Sequence, residues 1–401
     1  MYSHHFSINN IPFGIASSSS HAHKSVATRL EDTVIFLDEL ARQYPELSKE
    51  TITTFSNETL NPFAALPKSE HRATRKWIQS HLINLTSLPL STRSPLSEST
   101  LHLPFAIGDF TDFSCSREHV LNAGEAVFQK RVLPTGFEYF PVGYHGRTST
   151  VVSSEAPIVR PRGQYRDATG SVVFGPTKRL DYELEIASVI GKASVLGEPV
   201  KIEEADEYIF GLVLLNDWSA RDIQGLEMTP LGPLHGKSFA TTISPWVITL
   251  DALEPLKIPA APRTAEIVLP PYLQDPDPAP TFEIELKAEI QPKGAAEPTV
   301  ICTSKFSSVY WTLRDLVAQQ TINGCFLRTG DLLATGTISG DVAGSNGCLL
   351  EMVAKGGVEV NINGKNERRM FLDDGDTVRL TAYAGQGVGF GGCVGTILPA
   401  K

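Results

Sequence analysis

At 401 residues the chain can bury a large core, in one big domain plus a smaller one or in two comparable domains. Its 35 lysines and arginines against 45 aspartates and glutamates leave a net charge of −10 with no basic block, which argues against nucleic acid or an anionic membrane as a main partner. Five cysteines without CxxC spacing (Cys115, Cys302, Cys325, Cys348, Cys393) read as reduced thiols of a cytosolic protein rather than a disulfide framework or a zinc site. The most apolar short stretch, Tyr208 to Leu215, is far too short to span a bilayer. The opening Met1-Tyr2-Ser3-His4-His5-Phe6 has no secretory pattern, so a cytoplasmic location is expected.

The first hundred residues read as a unit of their own with a boundary near residue 103, giving an expected division into 1–103 and 104–401. Thr33-Val-Ile-Phe-Leu37 is apolar enough for a buried strand, and Ser69 to Leu82 places Ala73, Trp77 and His81 at helical spacing. His81 there reads as a helix-face residue rather than a ligand. Thr86 to Thr100, rich in Ser, Thr and Pro, reads as a connecting loop. Beyond it strand signals dominate, and helices are expected at Arg117 to Phe128, Glu203 to Phe210 and Trp311 to Thr321. So few crossover helices favour a mixed or antiparallel sheet over a doubly wound one. The eight prolines from Pro255 to Pro280 imply an irregular excursion. Phe282 to Ile290 alternates as a half-buried strand, and Asn363-Gly364 marks a hairpin turn. Gly387-Val-Gly-Phe-Gly-Gly392 matches GxGxxG, but a strand-like run follows where a nucleotide-binding turn needs a helix; a glycine-rich turn is the better reading.

Polar residues that folding alone does not require gather in four stretches. Leu180-Asp-Tyr-Glu-Leu-Glu-Ile-Ala187, read as a strand, puts Asp181, Glu183 and Glu185 on one face and Tyr182, Leu184 and Ile186 on the other. Neighbouring carboxylates repel, so the stretch is either a solvated edge strand or a site for a hard divalent cation such as Mg²⁺, Ca²⁺ or Mn²⁺. In Gly108 to His119, Ser114 or Ser116 can cap the following helix, with Asp112 ahead of it and His119 near enough to face the same cavity. Leu214 to Gln224 is an apolar strand ending in Asn216, Asp217, Arg221 and Gln224, a favoured place for ligand or catalytic groups. It runs on toward Lys237 and Thr241. The last stretch is Gly330 to Gly340, containing Thr337, with Glu351 after a short loop.

Taken in order, Asp112-Phe-x-x-Ser-Arg-x-His119, Pro141-Val-Gly-Tyr144-His-Gly-Arg147, Asp181-x-Glu183-Leu-Glu185, Asn216-Asp-Trp-Ser-Ala-Arg-Asp-Ile-Gln224, Gly236-Lys-Ser-Phe-x-Thr-Thr-Ile-Ser-Pro-Trp246 and Gly330-Asp-Leu-Leu-Ala-x-Gly-Thr-Ile-Ser-Gly340 make the whole chain resemble the fumarylacetoacetase family. The resemblance implies an α+β, mostly β fold with an N-terminal SH3-like barrel and a C-terminal mixed β-roll, assembled as a cytosolic homodimer. It implies hydrolysis of a carbon–carbon bond in a small 1,3-diketo acid, with Mg²⁺ or Ca²⁺ as cofactor. The metal carboxylates then fall on Asp112, Glu183, Glu185 and Asp217, the general base on His119 and its orienting carboxylate on Glu351. Arg221, Gln224 and Lys237 match groups that polarise the substrate and receive the leaving carbanion. Tyr144 and Thr337 match pocket positions. Lys237 and Thr241 also match positions beside a second, structural cation, where backbone carbonyls would serve.

Three substrate contacts of the family are changed: Ser114 and Met228 stand in place of tyrosines, and Phe128 in place of an arginine. Lys130 or Arg131 takes that arginine's place if a gap intervenes. Losing two phenols and a guanidinium removes much of what holds a substrate carboxylate. Two rival readings follow. One is a non-hydrolytic relative that decarboxylates, tautomerises or joins carbon–carbon bonds in a specialised pathway. The other is a binding or structural homologue, which the complete set of metal and base residues counts against.

Overall fold

The computed structural model of the chain describes residues 2–264 and 266–401. In the N-terminal third, five antiparallel strands lie in the order Arg93–Pro95, Thr33–Phe36, Ser25–Leu30, Gly14–Ser18, Ser99–His102. Thr33–Phe36 is the buried strand expected there, and the chain turns into the helix Leu37–Gln43 directly after it. The stretch expected as a loop, Thr86 to Thr100, instead contributes both outer strands. Its prolines are tolerated at an edge, where one side of the strand needs no ladder hydrogen bonds. No pairing joins the two outer strands among the described residues, so the SH3-like barrel is met only as far as a small antiparallel sheet. The helix Lys68–Leu82 covers this sheet, burying His71, Thr74, Trp77, Ile78 and Leu82. Ala73 stays exposed, and His81 stacks on Tyr44 as a helix-face residue.

The rest of the chain builds two further sheets. An eight-stranded mixed sheet runs Gly143–His145, Phe110–Phe113, Leu332–Ala334, Leu184–Ile190, Ile209–Asp217, Thr241–Ile243, Val151–Ser153, with Ile248–Thr249 also pairing to Ile209–Asp217. A five-stranded sheet contains Thr299–Lys305, Glu285–Gln291, Thr377–Gly385, Val388–Leu398 and Ile158–Val159. Leu184, Ile186, Leu212 and Leu214 of the first sheet share one core with Leu286, Ala288, Leu380 and Ala382 of the second. The opposite face of the eight-stranded sheet, with Ala187, Val189, Val213 and Leu215, packs against Phe13, Phe55, Phe63 and Trp77 of the N-terminal unit. Few helices and a mixed sheet match the mostly-β expectation.

The helix Arg117–Phe128 lies where the sequence placed it. The expected helix at Glu203 to Phe210 is shorter: a 3₁₀ turn Ile202–Glu204 and the helix Ala205–Tyr208, after which Ile209 and Phe210 open a central strand. A β-branched and an aromatic residue followed by an apolar run favour the pleated sheet once it can bury both faces. The third helix is Leu313–Thr321, started by Thr312 and Asp315 in a reciprocal capping box. Asn363 and Gly364 both have positive φ and join Val358–Ile362 to Lys365–Arg369, the expected hairpin. The GxGxxG stretch passes from a turn into the strand Val388–Leu398. Among the described residues no helix is long and apolar enough to cross a membrane.

Candidate active site

Along neighbouring strands of the eight-stranded sheet, one face runs apolar and then ends in a carboxylate. Val189 and Ala187 lead to Glu185, Val213 and Leu215 lead to Asp217, and Phe110 leads to Asp112. Alternation keeps each set on one side, and the register brings the three ends together: Glu185 lies opposite Leu215, Ala187 opposite Ala334, and Ala334 beside Asp112. Glu183 joins from just outside the ladder. The ligand-capable oxygens of Asp112, Glu183, Glu185 and Asp217 all lie within 4.8 Å of one another, and all four residues are buried. The solvated edge strand is therefore overturned, because Leu184–Ile190 is central and its carboxylates are covered.

Asp181 does not share this face. The strand breaks after it, and Asp181 pairs with Ser219 in a separate two-residue ladder. Its carboxylate takes backbone N–H groups of Leu349 (2.8 Å) and Leu350 (3.0 Å) and the Arg221 Nε (2.9 Å). Arg221 in turn reaches Glu183 Oε1 at 2.8 Å and donates to Gln224 Oε1 at 3.2 Å. Lys237 donates to Glu183 and, at 2.7 Å, to Asp217 Oδ2. The Tyr144 hydroxyl donates to the same Asp217 oxygen at 2.6 Å, and Thr241 to its other oxygen at 3.3 Å.

Five buried carboxylates thus face two buried cations, and the protonation of the cluster follows from that imbalance. Burial and the nearby Asp217 push Asp112 well above the ordinary carboxylate range. Burial, Asp112 and Glu183 do the same to Glu185. Asp217 is also raised, chiefly by burial, with Lys237 offsetting part of it. Glu183 moves the other way: burial would raise it, but Lys237 and Arg221 outweigh burial and hold it low. Both oxygens of Glu185 and Oδ1 of Asp112 have no hydrogen-bond partner, although they are buried. Buried acceptors are rarely left this way. The donor set, all oxygen and crowded with negative charge, fits a hard divalent cation.

Beside the cluster stands a second unit. Ser116 caps the helix Arg117–Phe128, accepting from the His119 N–H at 3.3 Å and donating to the Ser339 carbonyl at 2.8 Å. This fixes His119 so that its Nδ1 meets Glu351 Oε1 at 2.8 Å. Glu351 also accepts from Ser339 (2.7 Å), Asn122 (2.8 Å) and Asn346 (3.1 Å). Burial would raise its carboxyl, but His119 and these hydrogen bonds hold it down at about 2. Of these partners the sequence reading missed Asn122, Ser339 and Asn346 as site residues. Asn122 was findable, since three residues after His119 is one helical turn.

The remaining positions sort by place. Thr337 is buried with its hydroxyl unpartnered, next to Gly336, whose positive φ and close approach to the Phe113 carbonyl exclude a side chain there. Ser114 lies on the same approach, its N–H donating to Val142. Phe128 and Met228 stand exposed near the outer ends of the helices whose inner ends carry His119 and Arg221. Arg131 is engaged with Asn122 and, at 2.6 Å, with Glu118.

An imidazole oriented by a buried carboxylate, next to a cation-compatible nest with its own lysine and arginine, defines a hydrolytic enzyme built on a mixed β fold. Residues 109–397 match the family described as Fumarylacetoacetate (FAA) hydrolase C-terminal, and residues 9–104 match Fumarylacetoacetase N-terminal. The chain is 41% identical over 416 residues to the fumarylacetoacetase of Oryza sativa subsp. japonica, covering 99% of this chain and 95% of that one. Against the fumarylacetoacetase of Homo sapiens it is 40% identical over 410 residues, covering 98% and 96%. Among solved structures, a fumarylacetoacetate hydrolase from Exiguobacterium antarcticum superposes with a TM-score of 0.56 at 15% identity, over 98% of this chain and all of that one. A 5-carboxymethyl-2-hydroxymuconate delta-isomerase from Mycobacterium smegmatis does so with 0.51 at 16%, over 97% and 100%. At that identity both speak for the fold alone. The chain belongs to the fumarylacetoacetase family, enzymes that hydrolyse a carbon–carbon bond.

Proposed function

We propose that the chain hydrolyses a 1,3-diketo acid of the fumarylacetoacetate or acylpyruvate kind, with Asp112, Glu183, Glu185 and Asp217 holding a Mg²⁺ or Ca²⁺ ion. The observation that carries the proposal is the His119–Glu351 pair at 2.8 Å beside four converging carboxylates. When bound, the cation supplies Lewis-acid polarisation of the diketone oxygens. With Nδ1–H directed at Glu351, His119 keeps a lone pair on Nε2 to take a proton from water. The water oxygen bonds to the carbonyl carbon, the adjacent carbon–carbon bond breaks, and its electron pair leaves as an enolate that takes up a proton. Lys237 and Arg221 bring fixed positive charge to where that enolate develops, and Gln224, held by Arg221, lines the same approach. The products are a carboxylate and a ketone.

Product analysis in ¹⁸O water tests the reaction type, using fumarylacetoacetate and a panel of acylpyruvates. Label in the new carboxylate is expected. Turnover without label, through decarboxylation or isomerisation, sinks hydrolysis. Chelation should abolish turnover, and Mg²⁺, Mn²⁺ or Ca²⁺ should restore it. Full activity in stripped protein removes the cation from the proposal. Wild-type preference for fumarylacetoacetate over analogues with an apolar terminus would give the enzyme a place in tyrosine catabolism.

A further inference from the structure

In the N-terminal unit, Ser18-Ser-Ser-His21-Ala-His23-Lys-Ser25 connects the strands Gly14–Ser18 and Ser25–Leu30. Ser18 and His21 exchange backbone hydrogen bonds, a tight turn that sets the two histidine rings side by side at 4.1 Å. His21 is buried and stacked on Phe36 at 4.0 Å, whereas the His23 side chain is 53% exposed. Both rings turn Nε2 toward one buried carboxylate, Asp38, which the helix Leu37–Gln43 carries in its first turn. His21 Nε2 is 3.4 Å from Asp38 Oδ1, and His23 Nε2 is 3.0 Å from Oδ2. Ligand-capable atoms of all three residues lie within 4.8 Å of one another.

We propose that His21, His23 and Asp38 form a second metal site, apart from the four-carboxylate cluster, which takes a first-row transition ion such as Zn²⁺. A tetrahedral ion with bonds of about 2.0–2.2 Å needs donor atoms roughly 3.3–3.6 Å apart. His21 Nε2 already stands at that separation from Oδ1, and His23 Nε2, 3.0 Å from the other carboxylate oxygen, needs to move by a few tenths of an ångström and turn toward the shared ion. Two imidazoles and one carboxylate select zinc-like ions over Mg²⁺ or Ca²⁺, which prefer oxygen alone. Half-exposed His23 leaves a way in and room for water as a further ligand. Two neighbours complete the surroundings. Ser25 Oγ lies 3.0 Å from His21 Nε2 and donates to Asp38 Oδ1 at 3.2 Å, orienting that carboxylate. Arg42 lies 3.5 Å from Asp38 Oδ2, but it is 56% exposed and also paired with Glu39, so it can swing into water when an ion arrives.

Co²⁺ is the probe, because a low-coordinate site with nitrogen ligands gives visible absorption that an all-oxygen site gives only weakly. It is titrated into the full-length protein in excess Mg²⁺. Saturation at one Co²⁺ per chain and loss of the bands on adding Zn²⁺ are expected. The bands should persist in Glu185→Gln, which cripples the carboxylate cluster, and in Arg42→Ala. His23→Ala should weaken binding at least about tenfold, and retained hydrolase activity in that variant shows that it is folded. Bands absent in Mg²⁺, unchanged in His23→Ala, or lost in Glu185→Gln overturn the site, leaving the two histidines as hydrogen-bonded staples of the turn.

Discussion

His119 and Glu351 are 232 positions apart in sequence and 2.8 Å apart in the fold, and the imidazole depends on that contact for its direction. His119→Ala should therefore lower kcat by at least about 10²-fold, with some loss of Tm as well, because the ring side chain is only 12% exposed and its removal leaves the buried Glu351 carboxylate without its main partner. Glu351→Gln should cost less, since the imidazole remains while its orientation and charge stabilisation weaken. Near-normal turnover in His119→Ala would move water activation to another group. The substrate contacts are argued at the same scale. Charge-assisted hydrogen bonds contribute roughly 1.5–3 kcal/mol each. On the proposal that Ser114, Phe128 and Met228 stand at substrate contacts that are Tyr, Arg and Tyr in the family, and with Arg131 already held by Glu118 and Asn122, fumarylacetoacetate should lose about 10 to 10⁴-fold in kcat/KM against analogues with an apolar terminus. Phe128→Arg with Met228→Tyr should recover it. Wild-type preference for fumarylacetoacetate would show that Arg131 leaves its partners to fill the gap.

At the scale of the element, three strand ends converge because each runs apolar and then ends in a carboxylate on one face: Val189, Ala187 and Glu185; Val213, Leu215 and Asp217; Phe110 and Asp112. That pattern was legible in Val213-x-Leu215-x-Asp217, as was the Glu183, Glu185 pair. What alternation could not show was the break at Tyr182: the Glu183 N–H turns to the Asn216 side chain at 3.1 Å, and Asp181 goes to Arg221. Asn346 and Ser339 were invisible as partners of Glu351 because the irregular loop before Leu350–Val353, which no periodicity describes, folds them back onto it. The convergence has an energetic consequence. Glu185 is raised above its unfolded value by burial first and then by its neighbours. The sign follows: its penalty is absent below the ordinary carboxylate range and grows as pH rises toward neutral. Metal-free Glu185→Gln should accordingly melt a few degrees above metal-free wild type at pH 7, with the gap closing near pH 4. Mg²⁺ should raise the wild-type Tm and leave the variant almost unmoved. A variant less stable than metal-free wild type at pH 7 would mean that Glu185 has a partner in solution and is no source of strain.

Across the whole molecule, the sequence suggests a division near residue 103, but it does not show how the N-terminal part attaches. That part is welded to the eight-stranded sheet through one apolar core, against which His71 is buried, while a second buried histidine, His5, meets the five-stranded sheet. His71 sits between Phe63 and Phe210, at 5.0 Å from each ring, with its Nε2 on the Phe63 carbonyl at 2.9 Å. His5 accepts the Gly391 N–H on Nδ1 at 3.1 Å, 386 positions away, so it must be neutral there. Burial above all holds both at about 4, against 6.5 for an open chain. A base whose folded value is depressed contributes stability that is complete above the unfolded value and lost as pH falls toward the folded one. Stability should thus decline from about pH 6.5 to pH 4, by about 1.4 kcal/mol per pH unit for His71 alone, with His5 adding in the same direction. Below that, Glu351 adds a further loss as pH falls from the ordinary carboxylate range toward 2. The measurement is Tm or urea midpoint against pH in saturating Mg²⁺, which on the proposed cation site silences the opposing slope of the carboxylate cluster. His71→Gln keeps a donor for the Phe63 carbonyl but cannot take up a proton, so its acid slope should be visibly shallower than wild type. A wild-type Tm level from pH 7 to 4.5, or a variant slope equal to wild type, would show that water reaches these rings before either is charged.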